Sequence, residues 1–329
     1  GGMMGDMEYD EGGVDMEYDE GGSAIGVTFN GIPLSTDHLQ LLSWLPQLSS
    51  VTMNYSREEE SLVQPSEHFE RGILPWDERP EQEPVFQQSD LAGLARIPGL
   101  ENLQLDGTLF TDDVIEQVVK LKGLRSLQFS TSRITGATLR QLEQLPMLQE
   151  ISFSYGCEEL TDEGLLAIAG IRRIRSVSLV DCKKTTSKGL AGILSMPELE
   201  KLTLDEAAKN LDEQLLQKLS ASRLKSVTLV GELDDSICAR LATVASLEEL
   251  VLSSTVLHGE QLEQLRSLES LVSLKLEGCT SLTMEGMRQL NQLTGLKELQ
   301  LNHTNLSDQH LLSLTGLEQL ELLVVVLAA

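Results

Sequence analysis

Four pairs of neighbouring acids, Asp112-Asp113, Asp162-Glu163, Asp212-Glu213 and Asp234-Asp235, are the first residues here whose types invite chemistry. Two carboxylates within reach of one bond could divide acid and base roles in glycoside cleavage, or hold a magnesium ion. Their recurrence at helix starts favours a plainer role, as negative charge beside the exposed backbone N–H groups of a first turn. The cysteines at 157, 182, 238 and 279 could supply thiolates for metal or redox work, and Cys157 and Cys182 stand 25 residues apart. No C-x-x-C pair and no histidine completes a ligand set, so small side chains filling turn cavities are the better account. His38, His68, His258, His303 and His310 fall at helix starts, strand exits or irregular chain, with no nucleophile and orienting group in a triad pattern. Gly-rich phosphate loops, H-E-x-x-H and nucleophile elbows are absent. The expectation is a non-enzymatic protein with no catalytic, cofactor-binding or metal-binding residue.

The elements that would position these side chains repeat. The phrase L-x-x-L-x-L, with conservative replacements, starts at Leu100, Leu124, Leu148, Ile174, Leu199, Leu224, Leu247, Leu271, Leu296 and Leu317, at steps of 21 to 26 residues. Each phrase predicts a short strand with its leucines inward, as in Leu100-Glu-Asn-Leu103-Gln-Leu105, because strand side chains alternate between faces. Helical runs such as Asp162 to Ala169 lie between the strands, with Thr161 placed to cap the first turn. A strand and helix in every unit make one edge of the stack shorter than the other. The fold expected is therefore an α/β leucine-rich-repeat solenoid, a curved horseshoe with parallel strands on its concave face and helices on its convex face.

The helix entries Leu160-Thr-Asp-Glu-Gly-Leu165, Thr186-Ser-Lys-Gly-Leu190, Leu282-Thr-Met-Glu-Gly-Met287 and Leu306-Ser-Asp-Gln-His-Leu311 share one phrase. The strand exits include Ser154-Tyr-Gly-Cys157, Val180-Asp-Cys182 and Glu277-Gly-Cys279. Together they resemble the cysteine-containing leucine-rich repeats of the ribonuclease-inhibitor-like superfamily, which includes F-box-type and bacterial repeat proteins. The resemblance spans about residues 89–322, with a weaker match over 24–55. It implies that Cys157, Cys182 and Cys279 sit in the turn after the strand, with Thr108, Thr131, Thr255 and Thr304 in the comparable region of other repeats. The F-box helical module itself is not matched.

Three segments depart from the repeat. Residues 1–22 carry the duplicated Met-Glu-Tyr-Asp-Glu-Gly-Gly and no Lys or Arg, the composition of a disordered acidic arm. The repeat domain is expected over 23–322, with early strands at Ala24 to Phe29 and Leu48 to Met53. Residues 56–88 interrupt it, either as an acidic excursion docked by Trp76 and Phe86, which is preferred, or as a degenerate repeat. Residues 323–329 form an apolar tail, read as a self-capping end, a fragment boundary or a self-association surface.

The formal charge of −26 disfavours nucleic acid and anionic membranes and suits a basic partner. No signal peptide and no apolar run long enough to span a bilayer is present, so integral membrane association is not expected. The cysteine usage suggests a reduced, cytoplasmic setting. What remains is recognition. The lead expectation is an interaction scaffold that binds a protein through its repeat surface. The alternatives are a structural protein that self-associates through its C-terminal end or arm, and a substrate-recognition subunit of an enzyme complex such as a ubiquitin ligase or bacterial effector. Candidate contact residues are Tyr9 and Tyr18 in the arm, Trp76 in the excursion, Tyr155 in a loop, and the outward strand residues Gln104, Gln128, Lys201, Lys275 and Gln300.

Overall fold

The computed structural model describes residues 13–31, 36–55, 91, 93–205, 212–253 and 256–327. Tyr9, Trp76 and the 56–88 excursion lie outside them. One sheet of 13 strands runs through the described chain in sequence order, β1 to β13. β1 (Gly13–Tyr18) is antiparallel to β2 (Ala24–Asn30), and every later neighbour is parallel. The strands between are β3 (Ser50–Asn54), β4 (Asn102–Asp106), β5 (Ser126–Ser130), β6 (Glu150–Ser154), β7 (Ser176–Leu179) and β8 (Lys201–Leu204). β9 (Ser226–Val230), β10 (Glu249–Ser253), β11 (Ser273–Glu277), β12 (Glu298–Thr304) and β13 (Leu322–Leu327) complete it.

The register follows from the leucine phrase. Leu103, Leu127, Ile151 and Val177 are direct partners along β4 to β7, and Leu250, Leu274 and Leu299 continue the row through β10 to β12. A one-residue slip would turn every one of these side chains from the core to the solvent face, so the pattern holds the register in place. The core is one continuous column. Burying each such side chain contributes about 1.5–3 kcal/mol. Phe129 and Phe153 stack in it with ring centroids 5.4 Å apart.

Short helices and 3-10 turns, among them Asp162–Ala169, Ser187–Ile193 and Met284–Leu290, return the chain from one strand to the next. Adjacent units meet closely at the start of these segments. Gly164 packs on Gly136, whose φ is 103°, and a Cβ added to Gly164 would lie 2.8 Å from the Gly136 Cα. At Thr161 the expected helix cap is replaced by a bond across the repeats, its hydroxyl donating to the Thr135 carbonyl at 3.1 Å. Thr186 and Thr283 do cap their helices, accepting from Lys188 N and Gly286 N.

Two expectations change. Within the stretch read as an unstructured arm, Gly13–Tyr18 instead form β1, reversed onto β2 by a turn in which Ser23 N donates to Asp19 Oδ1 at 2.8 Å. The acidic composition misled because alternate residues do useful packing: Met16 lies against the core, while Asp15 accepts from Asn30 Nδ2 at 2.6 Å. β3 pairs directly with β4, Val51 against Leu103, and the 56–88 stretch itself lies outside the described residues. Finally, the last strand is shifted. Leu299 pairs with Leu323 and Leu301 with Val325, so the closing phrase is Leu320-Glu-Leu-Leu323-Val-Val325 and not the one starting at Leu317. This restores a step of 24 residues from Leu296, where Leu317 gave 21.

Candidate interaction surface

The acid pairs act between repeats. Asp112 accepts from Thr135 N at 3.1 Å, Thr135 Oγ1 at 2.5 Å and Gly136 N at 3.0 Å. Asp162 accepts from Thr186 N at 2.7 Å and Thr186 Oγ1 at 2.6 Å, and Asp235 from Gly259 N at 2.8 Å. Each carboxylate thus ties the start of one return segment to the start of the next, rather than neutralising only its own helix. Asp212 does cap its own helix, accepting from Leu215 N at 2.9 Å. Asn291 makes the inter-repeat bond without charge, accepting from Thr315 N and Gly316 N.

The four cysteines are free and buried. Cys157 Sγ contacts the carbonyls of Phe129 and Ser154 at 3.4 Å, and Cys279 Sγ lies 3.6 Å from the Leu252 carbonyl, so the thiols close strand-exit turns. Burial raises the Cys182 thiol far above its ordinary range, with Cys157 adding to the effect, and pushes Cys238 up to about 12. Such thiols are poor nucleophiles. The threonines implied for this turn divide: Thr304 is buried and donates to the Leu301 carbonyl, whereas Thr131 is half-buried, Thr108 is exposed and Thr255 is outside the described residues. In the β5 repeat the buried neighbour of Cys157 is Ser132, 3.4 Å away. Among the described residues no three His, Cys, Asp or Glu side chains are placed to hold a metal ion.

The strand residues between the buried leucines form three outward columns. The middle column runs Gln104, Gln128, Ser152, Ser178, Thr203, Thr228, Val251, Lys275 and Gln300. Gln128 Nε2 lies 3.4 Å from Ser154 Oγ, which bonds Ser130 Oγ at 2.9 Å. Gln104 is half-buried in the column and Lys201 is exposed beside it. Lys275 and Gln300 belong to two neighbouring sets of polar contacts over β9 to β12. Lys275 Nζ donates to Glu249 Oε1 at 2.7 Å, Ser226 Oγ to Glu249 Oε2 at 2.9 Å, Ser273 Oγ to Glu298 Oε2 at 2.9 Å, and Gln300 Nε2 to Glu298 Oε1 at 2.6 Å. The Lys275 hydrogen bond holds the Glu249 carboxyl below its usual range and is returned as a raised Lys275. Bonds from Gln300 and Ser273 lower Glu298 likewise. Sequence reading found Lys275 and Gln300 but not Glu249 and Glu298. The available signal was the near-repeat spacing of opposite charges in neighbouring outward columns.

The strand exits carry the remaining character. Gly107, Thr131, Tyr155, Gly231 and Gly278, each directly after its strand, have positive φ, as do Asp181, two residues past β7, and His303, near the end of β12. Tyr155 is 74% exposed there. Nearby, Lys183 pairs with Glu158 and Lys184 with Glu159 across adjacent repeats. Tyr18, 60% exposed, sits at the far edge on β1 and does not join this group. Among the described residues no helix is long and apolar enough to cross a membrane.

No family model matches the chain, and no curated protein matches it by sequence. Solved structures similar to it include an internalin, InlF, of Listeria monocytogenes, at 16% identity and TM-score 0.40 over 90% of this chain and 72% of that one. Internalin C2 of the same organism is 20% identical at TM-score 0.34, over 73% of this chain and 84% of that one. TLR13, in a complex with single-stranded RNA, is 19% identical at TM-score 0.48, over 92% of this chain but 39% of that one. The leucine-rich-repeat assignment rests on the chain's own strand register and buried columns: thirteen strands in sequence order, with one leucine phrase per turn.

Proposed function

We propose that this chain is a non-enzymatic interaction scaffold that receives a basic protein segment on the concave face of its sheet, in a cytoplasmic setting suited to its free thiols. The observation that carries this reading is the chemistry of the outward columns. They are polar over most of their length, and their charged members are mostly acids: Asp106, Glu150, Asp205, Glu249, Glu277 and Glu298 against Lys201 and Lys275. A concave surface with one dominant sign focuses its field and favours partners of the opposite sign. The test is capture of partners by the full chain, compared with two double variants. Glu150→Lys with Glu277→Lys, on the concave columns, is expected to lose the partner. Glu143→Lys with Glu163→Lys, on the return segments, is expected to keep it. Equal retention by both variants would move the binding site off the sheet.

A second reading has its own observation. β13 is apolar at every position, and Leu322, Leu323 and Val326 are each more than 40% exposed on an unpaired edge. Self-association through this edge predicts a mass that rises with concentration in light scattering and stays monomeric when Val324, Val325 and Val326 are made polar.

A further inference from the structure

The strand that closes the N-terminal end is made from a sequence the chain carries twice. Residues 6–13 and 15–22 are identical, Asp-Met-Glu-Tyr-Asp-Glu-Gly-Gly, and the second motif supplies most of β1 and the turn after it. Met16 lies opposite Val27 and packs against the core, while Asp15 accepts from Asn30 Nδ2 at 2.6 Å. Asp19 accepts from Ser23 N at 2.8 Å, and Gly22, at φ 79°, completes the turn into β2. The motif thus makes a strand that ends the sheet, with an apolar side chain on the core layer and carboxylates at the rim. Asp6, Met7, Glu8 and Tyr9 of the first motif repeat it nine residues earlier, and none of the thirteen described strands contains them.

The opposite end lacks such a strand. Among the described residues β13 has β12 on one side and nothing on the other. The core layer beneath it is open as well: Leu293, Leu296 and Leu299 are buried, whereas their successors 24 residues on, Leu317, Leu320 and Leu323, are half-buried or exposed. β13 carries no charge, so a strand bearing Asp and Glu meets no like charge across the ladder, and its Leu and Val side chains can pair with Met and Tyr. A molecule cannot fill its own β13 with its own first motif. Twelve spacings separate the first and last of thirteen strands, roughly 58 Å along the sheet, whereas the four steps of chain from Tyr9 to Gly13 reach at most about 14 Å.

We propose that the first motif of one molecule, Asp6 to Tyr9, adds as a strand to the free edge of β13 in a second molecule, with Met7 on the open layer of Leu320 and Leu323. The proposal rests on the reading of β13 as a self-association edge and adds what fills it. Main-chain hydrogen bonds along the edge supply the affinity, and the alternation of Met7 and Tyr9 with acids supplies the register. The contact is heterologous, because each molecule gives a strand at one end and takes one at the other, and association is therefore open-ended.

Light scattering of the full chain at physiological ionic strength, over a series of concentrations, tests this. The mass of wild type is expected to rise with concentration past that of a dimer. Met7→Pro with Glu8→Pro, which removes two ladder donors ahead of β1, is expected to stay monomeric, and so is Val324→Lys with Val326→Lys, which guards the edge. Mixed in equal amounts, the two variants are expected to form a dimer and nothing larger, since one keeps the β13 edge and the other keeps the first motif. If Met7→Pro with Glu8→Pro associates as wild type does while Val324→Lys with Val326→Lys does not, β13 pairs without the first motif. This proposal then falls and the self-association reading stands. A mixture that stays monomeric also overturns the proposal, and wild type that stays monomeric at every concentration overturns both.

Discussion

The two ends of the sheet face the same problem and differ in how they meet it. At the N-terminal end the edge is closed by a reversed strand, β1, which presses Met16 on the core and presents Asp15 and Glu17 at the edge. At the C-terminal end β13 continues the parallel stack as Leu-Leu-Val-Val-Val-Leu, with no charge, proline or bulge of its own sequence to blunt it. An open edge is a template for another strand, and charged residues are a common guard against that. In β12 the outward columns hold Glu298, Gln300 and Asn302, while their partners in β13 are Leu322, Val324 and Val326. β13 is therefore apolar on the face that should be wet as well as on the face that should be dry.

The largest effect that tests this contrast comes from a register pair of identical residues. Leu299 is fully buried in β12, and its partner in β13, Leu323, is 45% exposed. Leu299→Ala should lower the unfolding free energy by about 2–5 kcal/mol in urea titration, and Leu323→Ala by less than about 1 kcal/mol. Equal losses would show that the C-terminal layer is as well covered as the interior. The next test makes the N-terminal end resemble the other. A chain starting at Asp19 lacks β1, uncovers the β2 edge, and should lose about 2–3 kcal/mol through the lost Met16 packing and ladder bonds. It should also self-associate in light scattering where the intact chain does so less. The converse change, Val324→Lys with Val326→Lys, gives β13 the guard that β1 has. Stability should move by no more than about 0.5 kcal/mol, since these are outward positions, while any concentration-dependent mass should disappear.

The repeat was legible because each leucine phrase is both a local strand signal and a global register. From Leu100 to Leu301 the inward residues lie where their spacing put them. The ends were not legible for the same reason. The strand in the acidic arm does alternate, with Val14, Met16 and Tyr18 against Asp15 and Glu17, but it is short, sits among acids and glycines and lacks the leucine phrase, so only its pairing with β2 identifies it. At the other end, Leu317, Leu320 and Leu323 offer two overlapping phrases, and only the pairing with β12 chooses between them. The polar contacts were half legible: Lys275 and Gln300 stood out as long side chains on a face of small ones, but the Lys275 partner Glu249 comes from the adjacent strand 26 residues away, where no local pattern marks it, while Glu298 lies two residues before Gln300 on its own strand.

The last test concerns those contacts, at the pair formed by Lys275 and Glu249 on the concave face. Glu249 is held below its ordinary value chiefly by Lys275, against some opposing burial. A carboxyl whose folded pKa lies below its unfolded one contributes stability above the unfolded value, and the contribution is lost as pH falls through the folded one. Between neutral pH and about pH 3, reached as the carboxyl passes its ordinary value near 4.3, wild type should therefore lose more stability than Glu249→Gln. The difference should be under about 1 kcal/mol, because the pair is partly open to solvent and screened. Raising the salt concentration at neutral pH should shrink the stability gap between the two proteins in the same direction. If Glu249→Gln follows wild type through acid and salt alike, the Lys275 bond is not what holds the outward columns of β10 and β11 in line, and the neighbouring ladder bonds must be doing so alone.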